Sequence, residues 1–190
     1  MLKAHAFGRQ HLFLRDIDIP ILSPLGTKRE MDLGSKIRVR EFRPEDVDAL
    51  VDIFRSAVRV VARRDYTQEQ VIAWAPDEID SSGWVAHYAA RQTFVAEVDG
   101  TVAGFTDLEP DGHLNMMYVH AEFQGRGVAS TLLSHLEAAA HHEGLKLIYT
   151  EASITARAFF ERRGFELIAQ QLVSTRGQEF INFRMRKSLV

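Results

Sequence analysis

The sequence predicts a mixed α/β domain, and three observations lead to this prediction. Segments with alternating apolar residues, as in strands, are interleaved with segments of helical apolar spacing. The dipeptide Asp99-Gly100 joins two strand-like runs and is a strong hairpin signal. A corner with two glycines, within residues 124–130, connects a strand to a long helix. The 190 residues, 46% of them apolar, suffice for one domain with a hydrophobic core.

The first 36 residues predict an N-terminal extension that is extended or poorly regular. The segment "ILSPLGTKREMDLGSK" is rich in turn residues and has no clear period. Two interpretations stay open. In the first, the extension is a plain arm or the product of a start codon placed ahead of Met31. In the second, it packs on the fold or on a second subunit. Residues 37–190 form the predicted domain.

Residues 36–75 predict one strand followed by two helices. "KIRVREF" alternates as a strand does. Residues 43–64 carry Pro44 near their start and acids in the first turn, as helices do. In the second helix, Thr67 and Gln70 have the spacing of a capping box. The apolar face expected for the first helix consists of Val47, Leu50, Val51, Phe54, Val58 and Val61.

The rest of the chain alternates strands with helices. Gly144 and Gly164 are expected to end two of these helices. In order, the segments are a hairpin over 93–112, a strand over 113–119, a helix over 128–143, a strand over 145–153, a short helix over 154–165 and a final hairpin over 166–174 and 179–189.

Composition excludes several classes of function. The net charge of −3 gives no sign of a nucleic-acid or membrane partner. The absence of cysteine excludes disulfides, thiol nucleophiles and thiolate metal sites. The adjacent His141 and His142 diverge around a helix, so we expect no metal site. With no long apolar run and no signal-peptide core, we expect a cytoplasmic protein.

The corner "QGRGVAS" predicts a site for a pyrophosphate. The first N–H groups of a helix have no partner within the helix, and they lie at the positive end of its dipole. A phosphate can accept several of these hydrogen bonds together. Gly125 and Gly127 let the backbone approach closely, and Arg126 adds a cationic donor.

Other interpretations of this corner are weaker. A dinucleotide fingerprint needs a third glycine where Ser130 stands, although Glu151 lies near the position of its acid. A Walker motif needs a Lys-Ser or Lys-Thr pair, which does not follow these glycines. The corner could also be a turn without a ligand.

The segment "YVHAEFQGRGVASTLL" resembles the acetyl-CoA signature of the GCN5-related N-acetyltransferases, Q/R-x-x-G-x-G/A. Gln124, Gly127 and Ala129 match its specified positions, and Val119 matches the valine five residues earlier. A second segment, "SITARAFFERRGF", resembles the family's motif N-x-x-A-x-x-F-Y-x-x-x-G-F. Segment order agrees over about residues 37 to 187. The matching residues of the second motif are Ala156, Phe159, Gly164 and Phe165, whereas Ser153 and Phe160 replace its asparagine and tyrosine.

This resemblance implies a mostly antiparallel sheet flanked by helices, with acetyl-CoA between two splayed central strands. Backbone groups at Met117 and Val119 would pair with the pantetheine arm, and the corner would hold the pyrophosphate. Phe159 and Phe160 would line the thiol end of the cofactor. The cofactor-binding residues implied are Met117, Tyr118, Val119, Gln124, Gly125, Arg126, Gly127, Val128, Ala129, Ser130, Ser153, Phe159 and Phe160.

The implied reaction is direct attack of an amine on the thioester, with an N–H near Val119 stabilising the oxyanion. The base candidates are His113 and Glu109, with Asp107, Asp111 or a water chain as alternatives. His113 lies eleven residues before Gln124, in the register of a catalytic glutamate in some relatives.

The acid that protonates the leaving thiolate is not evident, because Phe160 stands where the family often has a tyrosine. Tyr118, Tyr149 or water are candidates, and Ser153 could donate a hydrogen bond near the thiol. A module that binds acyl-CoA without catalysis is therefore an alternative, and a nicotinamide-dinucleotide enzyme is a more distant one.

The resemblance implies that the acceptor lies near the first two helices. Tyr66, Gln70 and Trp74, with Trp84 as a further candidate, would form its pocket. The acceptor itself, a small-molecule or peptide amine, is not identified by the sequence. Assembly as a homodimer is an expectation at the level of the family.

Overall fold

The structure, a computed structural model, describes residues 36–190. The predicted N-terminal extension therefore lies outside the described residues, except for Lys36. In chain order the elements are β1 (Ile37–Glu41), α1 (Val47–Ser56), α2 (Gln68–Trp74), α3 (Ser81–Ala89), β2 (Gln92–Val98), β3 (Thr101–Leu108), β4 (Leu114–Val119), α4 (Val128–His142), β5 (Leu147–Ser153), α5 (Ile154–Arg162), β6 (Glu166–Thr175) and β7 (Gln178–Ser188).

The strands form two antiparallel sheets. One has four strands in the order β1-β2-β3-β4, and the other has three in the order β5-β7-β6. Within the described residues, a parallel bridge between His113 and Tyr149 joins the two sheets, immediately before β4 and early in β5. The predicted mixed, mostly antiparallel architecture is confirmed, with a division between β4 and β5.

The turn between β2 and β3 confirms the hairpin prediction. Asp99 and Gly100 both have positive φ, 52° and 84°. Positive φ at both central residues defines a type I′ turn, whose twist matches that of paired strands.

The first predicted helix is less regular than its sequence suggests. A 3₁₀ turn at Pro44–Asp46 leads into α1, which continues through a π-helical turn at Ala57–Val61 and a 3₁₀ turn at Ala62–Arg64. The predicted apolar face is nevertheless turned inward: Leu50 and Val58 are fully buried. A π turn has no distinctive residue pattern over such a short stretch, so apolar spacing alone did not predict it.

Helix α3 is absent from the sequence prediction, which continued directly from the second helix to the hairpin. Asp80 caps α3 by accepting a hydrogen bond from the Ser82 N–H at 3.0 Å. Trp84 and Tyr88, four residues apart, anchor the helix in the core. The prediction failed here because two serines and Gly83 in the first turn are typical of a loop.

Two hydrophobic cores cover the opposite faces of the sheets. The α4–α5 core includes Met117 and Val119 of β4, packed with residues of α4, α5 and β7. The α1–α3 core includes Tyr118, packed with residues of α1, α2 and α3. Strand β4 therefore contributes side chains to both cores, and the edge that does not pair with β3 faces β5.

Candidate functional site

Strands β4 and β5 diverge from the bridge that joins them, and we call the region between them the gap. At its narrow end, the rings of His113 and Tyr149 stack with centroids 4.8 Å apart, and the Tyr149 N–H donates to the Gly112 carbonyl at 3.0 Å. Gly112 has a φ of +89°, and a Cβ there would collide with the Leu147 carbonyl oxygen. Only glycine permits this close approach. Beyond it, β4 pairs with β3 and β5 pairs with β7, so the strands separate.

The pairing register shows which backbone groups of β4 face the gap. The His120 N–H donates to the Ala103 carbonyl at 2.8 Å, and the next residue pair in the same register is Val119 with Gly104. Hydrogen-bonded and non-hydrogen-bonded pairs alternate along an antiparallel ladder. The N–H and C=O groups of Met117 and Val119 therefore point away from β3, toward the gap. This orientation agrees with their expected pairing to a pantetheine arm.

The predicted corner lies at the wide end of the gap, between β4 and α4. Gly125 and Gly127 have φ of +68° and +83°, a region that disfavours other residues. The Gln124 side chain holds the turn by donating to the Val119 carbonyl at 2.9 Å. Near the start of α4, the Thr131 N–H donates to the Gly127 carbonyl at 3.0 Å. The N–H groups of residues 128–130 belong to the first turn of α4. The helix itself offers no carbonyl acceptor to the N–H groups of its first turn.

Two cations lie at this corner. The Arg126 guanidinium is 5.2 Å from the centroid of the Phe123 ring. The second cation, Arg163, follows α5, donates a hydrogen bond to the Ser130 hydroxyl and lies 5.5 Å from the Phe159 centroid. Arg163 was not among the site residues predicted from the sequence, because 33 positions separate it from Ser130. Its only signal was its position directly before Gly164, in the glycine-aromatic end of the second motif.

The start of α5 forms the β5 side of the gap. Ser153 caps the helix, and its hydroxyl accepts from the Ala156 N–H at 3.0 Å. The Tyr66 hydroxyl accepts from the Ile154 N–H at 2.9 Å. Thr155 donates to the Asp65 carboxylate at 2.6 Å. The loop before α2 is thereby tied to the first turn of α5.

Phe159 and Phe160, expected near the thiol, are both buried in the α4–α5 core. Their rings make an edge-to-face contact with centroids 5.3 Å apart. Phe160 also packs edge-to-face on Phe165, with centroids 4.9 Å apart. These contacts account for both residues as core packing, and a role beside the cofactor stays a prediction.

His113 is fully buried between two carboxylates at the narrow end of the gap. Its Nε2 atom lies 2.9 Å from Glu151, and its Nδ1 atom lies 3.2 Å from Glu109. Burial by itself would lower the pKa of His113, but the attraction of these carboxylates outweighs burial and raises the pKa above its ordinary value. Glu151, 38 residues from His113, is a partner that sequence analysis did not identify.

A series of ion pairs leads from Glu109 through Arg91 to Asp107 in the sheet. Arg91 lies 2.6 Å from Glu109 and donates to Asp107 at 3.2 Å. Asp107, a base candidate, is fully buried and accepts from the Met116 N–H at 2.6 Å and from Asn115 at 3.0 Å. Burial raises the pKa of Asp107, against the effect of these donors. Its bonds make it a support for the irregular start of β4.

The other base candidate of this turn, Asp111, is hydrogen-bonded to a tyrosine instead of to an arginine. It accepts a hydrogen bond from the Tyr149 hydroxyl at 2.5 Å, and this bond lowers the pKa of Asp111. Tyr149, one of the acid candidates, is therefore linked to Asp111 at the narrow end of the gap.

The acceptor residues expected from the sequence lie together on the α1–α3 side. Tyr66 and Trp74 make an edge-to-face contact at 5.2 Å, and Trp74 packs likewise on Phe180 at 5.5 Å. Gln70 bonds the Thr67 N–H and the Glu179 carbonyl, which confirms the capping box and docks α2 on β7. Tyr118 is buried, and burial raises its pKa well above the ordinary value.

The comparisons with known proteins agree with this geometry. Residues 62–187 match the family model described as an acetyltransferase (GNAT) domain. An N-acetyltransferase of Escherichia coli K12 named YafP, itself uncharacterized, is 38% identical over 152 residues, which is 80% of this chain and 96% of that protein.

Solved structures are similar as well. A GCN5-related N-acetyltransferase from Rhodopseudomonas palustris is 33% identical, with a TM-score of 0.77 over 82% of this chain and 98% of its own. The PaiA N-acetyltransferase from Thermoplasma acidophilum, solved with coenzyme A, is 18% identical, with a TM-score of 0.67 over 80% of this chain and 99% of its own. The second of these likenesses concerns the fold alone.

The family match and the E. coli relative confirm the resemblance, the enzyme class and acetyl-CoA as the donor, and they leave the dinucleotide interpretation without support. The chain belongs to the GNAT family of acyl-CoA-dependent N-acetyltransferases.

Proposed function

We propose that this enzyme transfers an acetyl group from acetyl-CoA to a primary amine by direct attack within a ternary complex. The observation that carries the proposal is the gap, in which backbone groups of Met117 and Val119 face the separated strand β5. An acyl-enzyme on a thiol is excluded, because the sequence has no cysteine.

In this proposal the donor lies along the gap, with its pyrophosphate at the corner. The N–H groups of the first turn of α4 and the cations Arg126 and Arg163 hold the phosphates. The pantetheine arm pairs with the backbone of Met117 and Val119. One of the N–H groups facing the gap then binds the thioester oxygen and stabilises the oxyanion that forms during attack.

His113 takes the proton that the amine loses, in the proposed reaction. It lies between Glu151 and Glu109, and this surrounding makes the neutral imidazole a stronger base than an ordinary histidine. Because the ring is buried, the proton reaches it through Glu109, whose side chain is 20% exposed, or through a bound water. Glu109 and His113 thus act as one unit.

The amine is proposed to enter beside Tyr66 and Trp74, where an aromatic wall can contact a flat or cationic acceptor. Gln70 is less suited to this role, because both its polar atoms serve structural hydrogen bonds. Small-molecule and peptide amines both stay candidates. Within residues 36–190, no helix has the length and apolarity to cross a membrane. A cytoplasmic location and a homodimer stay predictions.

The experiment that tests this proposal measures release of coenzyme A thiol with a panel of acceptors. The panel contains hydroxylamine as a small, unselective nucleophile, together with spermidine, tyramine, free amino acids and a short peptide. Acceleration that requires both acetyl-CoA and an amine supports transfer in a ternary complex. Binding of acetyl-CoA without acceleration by any acceptor would overturn the catalytic proposal.

A further inference from the structure

In the second motif, Phe160 provides no hydroxyl that could protonate the leaving thiolate. Phe160 is fully buried, and its ring packs on Phe159 and Phe165 in the α4–α5 core. The thiolate that leaves during acetyl transfer needs a proton, and phenylalanine has none to give. A phenol from elsewhere in the chain could supply it if its oxygen lay beside the same part of the gap.

Tyr66 has this location. Ser153 and Met117 each lie four residues beyond the bridge between His113 and Tyr149, so they face each other across the gap. The residue after Ser153 donates its N–H to the Tyr66 hydroxyl at 2.9 Å. Counted along the strands from the bridge, the phenol oxygen therefore lies at the same height as the β4 backbone groups that face the gap.

The Tyr66 side chain reaches this position from the acceptor side. The ring packs edge-to-face on Trp74 and lies 5.9 Å from Phe180, in the α1–α3 core. Its hydroxyl donates a long hydrogen bond of 3.3 Å to the Ile181 carbonyl. A donor held by such a long bond can be redirected to a stronger acceptor, such as a thiolate, at little cost.

The protonation state fits an acid. Burial raises the pKa of Tyr66 to about 12, against the effects of the Ile154 N–H and of Ser153, so the phenol carries its proton at neutral pH. Once that proton has left, the Ile154 N–H remains as a donor to the phenolate. This N–H is the first of α5, at the positive end of the helix dipole.

We propose that Tyr66 is the general acid of this enzyme. It takes the role of the tyrosine that the family often has at the position of Phe160. The amine nitrogen attacks the thioester carbon, and the tetrahedral intermediate collapses as the carbon–sulfur bond breaks. The departing sulfur takes the proton of the Tyr66 hydroxyl, which gives coenzyme A thiol and a phenolate. Water returns a proton to the phenolate, while the proton lost by the amine leaves through the base. This inference rests on the proposed acetyl transfer.

The test compares Tyr66→Phe with a matched control, Tyr88→Phe. The Tyr88 hydroxyl is buried and has no hydrogen-bond partner among the described residues, so its removal should not affect turnover. With acetyl-CoA and hydroxylamine, we expect Tyr66→Phe to lower kcat about 100-fold, the scale of general acid catalysis. Calorimetric affinity for coenzyme A should stay within about threefold of the wild-type value, because the phenyl ring still packs on Trp74.

A second donor separates proton transfer from a structural effect. A selenolate leaves without help from an acid, so Tyr66→Phe should approach wild-type turnover with the acetyl selenoester of coenzyme A. An equal loss with both donors would overturn the acid role and indicate that Tyr66 only positions α5. Unchanged kcat with acetyl-CoA would overturn it too. A wild-type protein that binds acetyl-CoA but catalyses no transfer would instead overturn the proposed function, and this inference with it.

Discussion

The Nε2 atom of His113, which immediately precedes β4, lies 2.9 Å from a carboxylate oxygen of Glu151 in β5, although the two strands separate just beyond this pair. This buried pair closes the narrow end of the gap. It also places a titratable group beneath the space in which we propose that the donor binds. The two consequences can be measured separately, because the charged ring favours folding whereas the neutral ring favours catalysis.

The pH dependence of activity tests the catalytic role of His113. A base works only when it is deprotonated, and the pKa of His113 is raised above its ordinary 6.5. We therefore expect kcat/KM to rise with pH along a limb that lies above pH 6.5. In His113→Gln this limb should vanish and kcat/KM should fall about 100-fold. The same limb in the variant would assign the base to another group.

The pH dependence of stability tests the structural role of the same residue. A histidine whose pKa is raised by folding adds stability at pH values below its unfolded pKa, and this stability is lost as pH rises through the folded pKa. Urea unfolding from pH 5.5 to 9 should therefore show wild-type stability falling above about pH 6.5. His113→Gln should be less stable at low pH and nearly flat over this range. Parallel curves for the two proteins would contradict the buried ion pair.

Gly127 and Gly144 provide a matched pair for the phosphate site. Both flank α4 with positive φ, +83° and +75°, and a Cβ at either position would meet no atom of the described chain closer than 3.8 Å. Substitution by valine should cost both variants a similar stability, about 1–2 kcal/mol. Only Gly127→Val should lose affinity for acetyl-CoA, by at least about tenfold, since only it changes the corner. Calorimetry on both variants checks this, and equal affinities would refute the site.

Arg163 and Arg162 test the second cation of the corner. Arg163 donates to Ser130 in the first turn of α4, whereas Arg162 is an exposed residue at the end of α5. A charge-assisted bond to phosphate is worth about 1.5–3 kcal/mol. Arg163→Gln should therefore weaken acetyl-CoA binding about 10- to 100-fold and reduce its salt dependence. Arg162→Gln should bind as the wild type does, and an equal effect of the two changes would indicate only a diffuse loss of charge.

Much of the fold could be predicted because it depends on local patterns. The Asp99-Gly100 turn, the Thr67–Gln70 capping box and the glycine corner each follow from a few adjacent residues. Helix α3 could not be predicted, because its two anchors, Trp84 and Tyr88, are preceded by a loop-like first turn. Its stability comes from tertiary packing, which residue spacing does not record.

The parts of the candidate site that a single segment builds could be proposed from the sequence, and those where distant segments meet could not. The corner residues were found as a motif, whereas the contacts of His113 with Glu151 and of Arg163 with Ser130 join residues 38 and 33 positions apart. Tyr66 was expected to contact the acceptor, but its hydrogen bond to Ile154 spans 88 positions. Only the folded chain reveals that this phenol lies at the start of α5.

The central claim is that the gap between β4 and β5 binds the acetyl donor, with its pyrophosphate at the corner. Calorimetric titration of the wild-type protein and Gly127→Val with acetyl-CoA, with NADH as the control ligand, tests it most directly. We predict saturable binding of one acetyl-CoA per chain, no heat from NADH, and loss of binding in Gly127→Val. Binding of NADH, or unchanged acetyl-CoA affinity in Gly127→Val, would contradict the assignment of this corner.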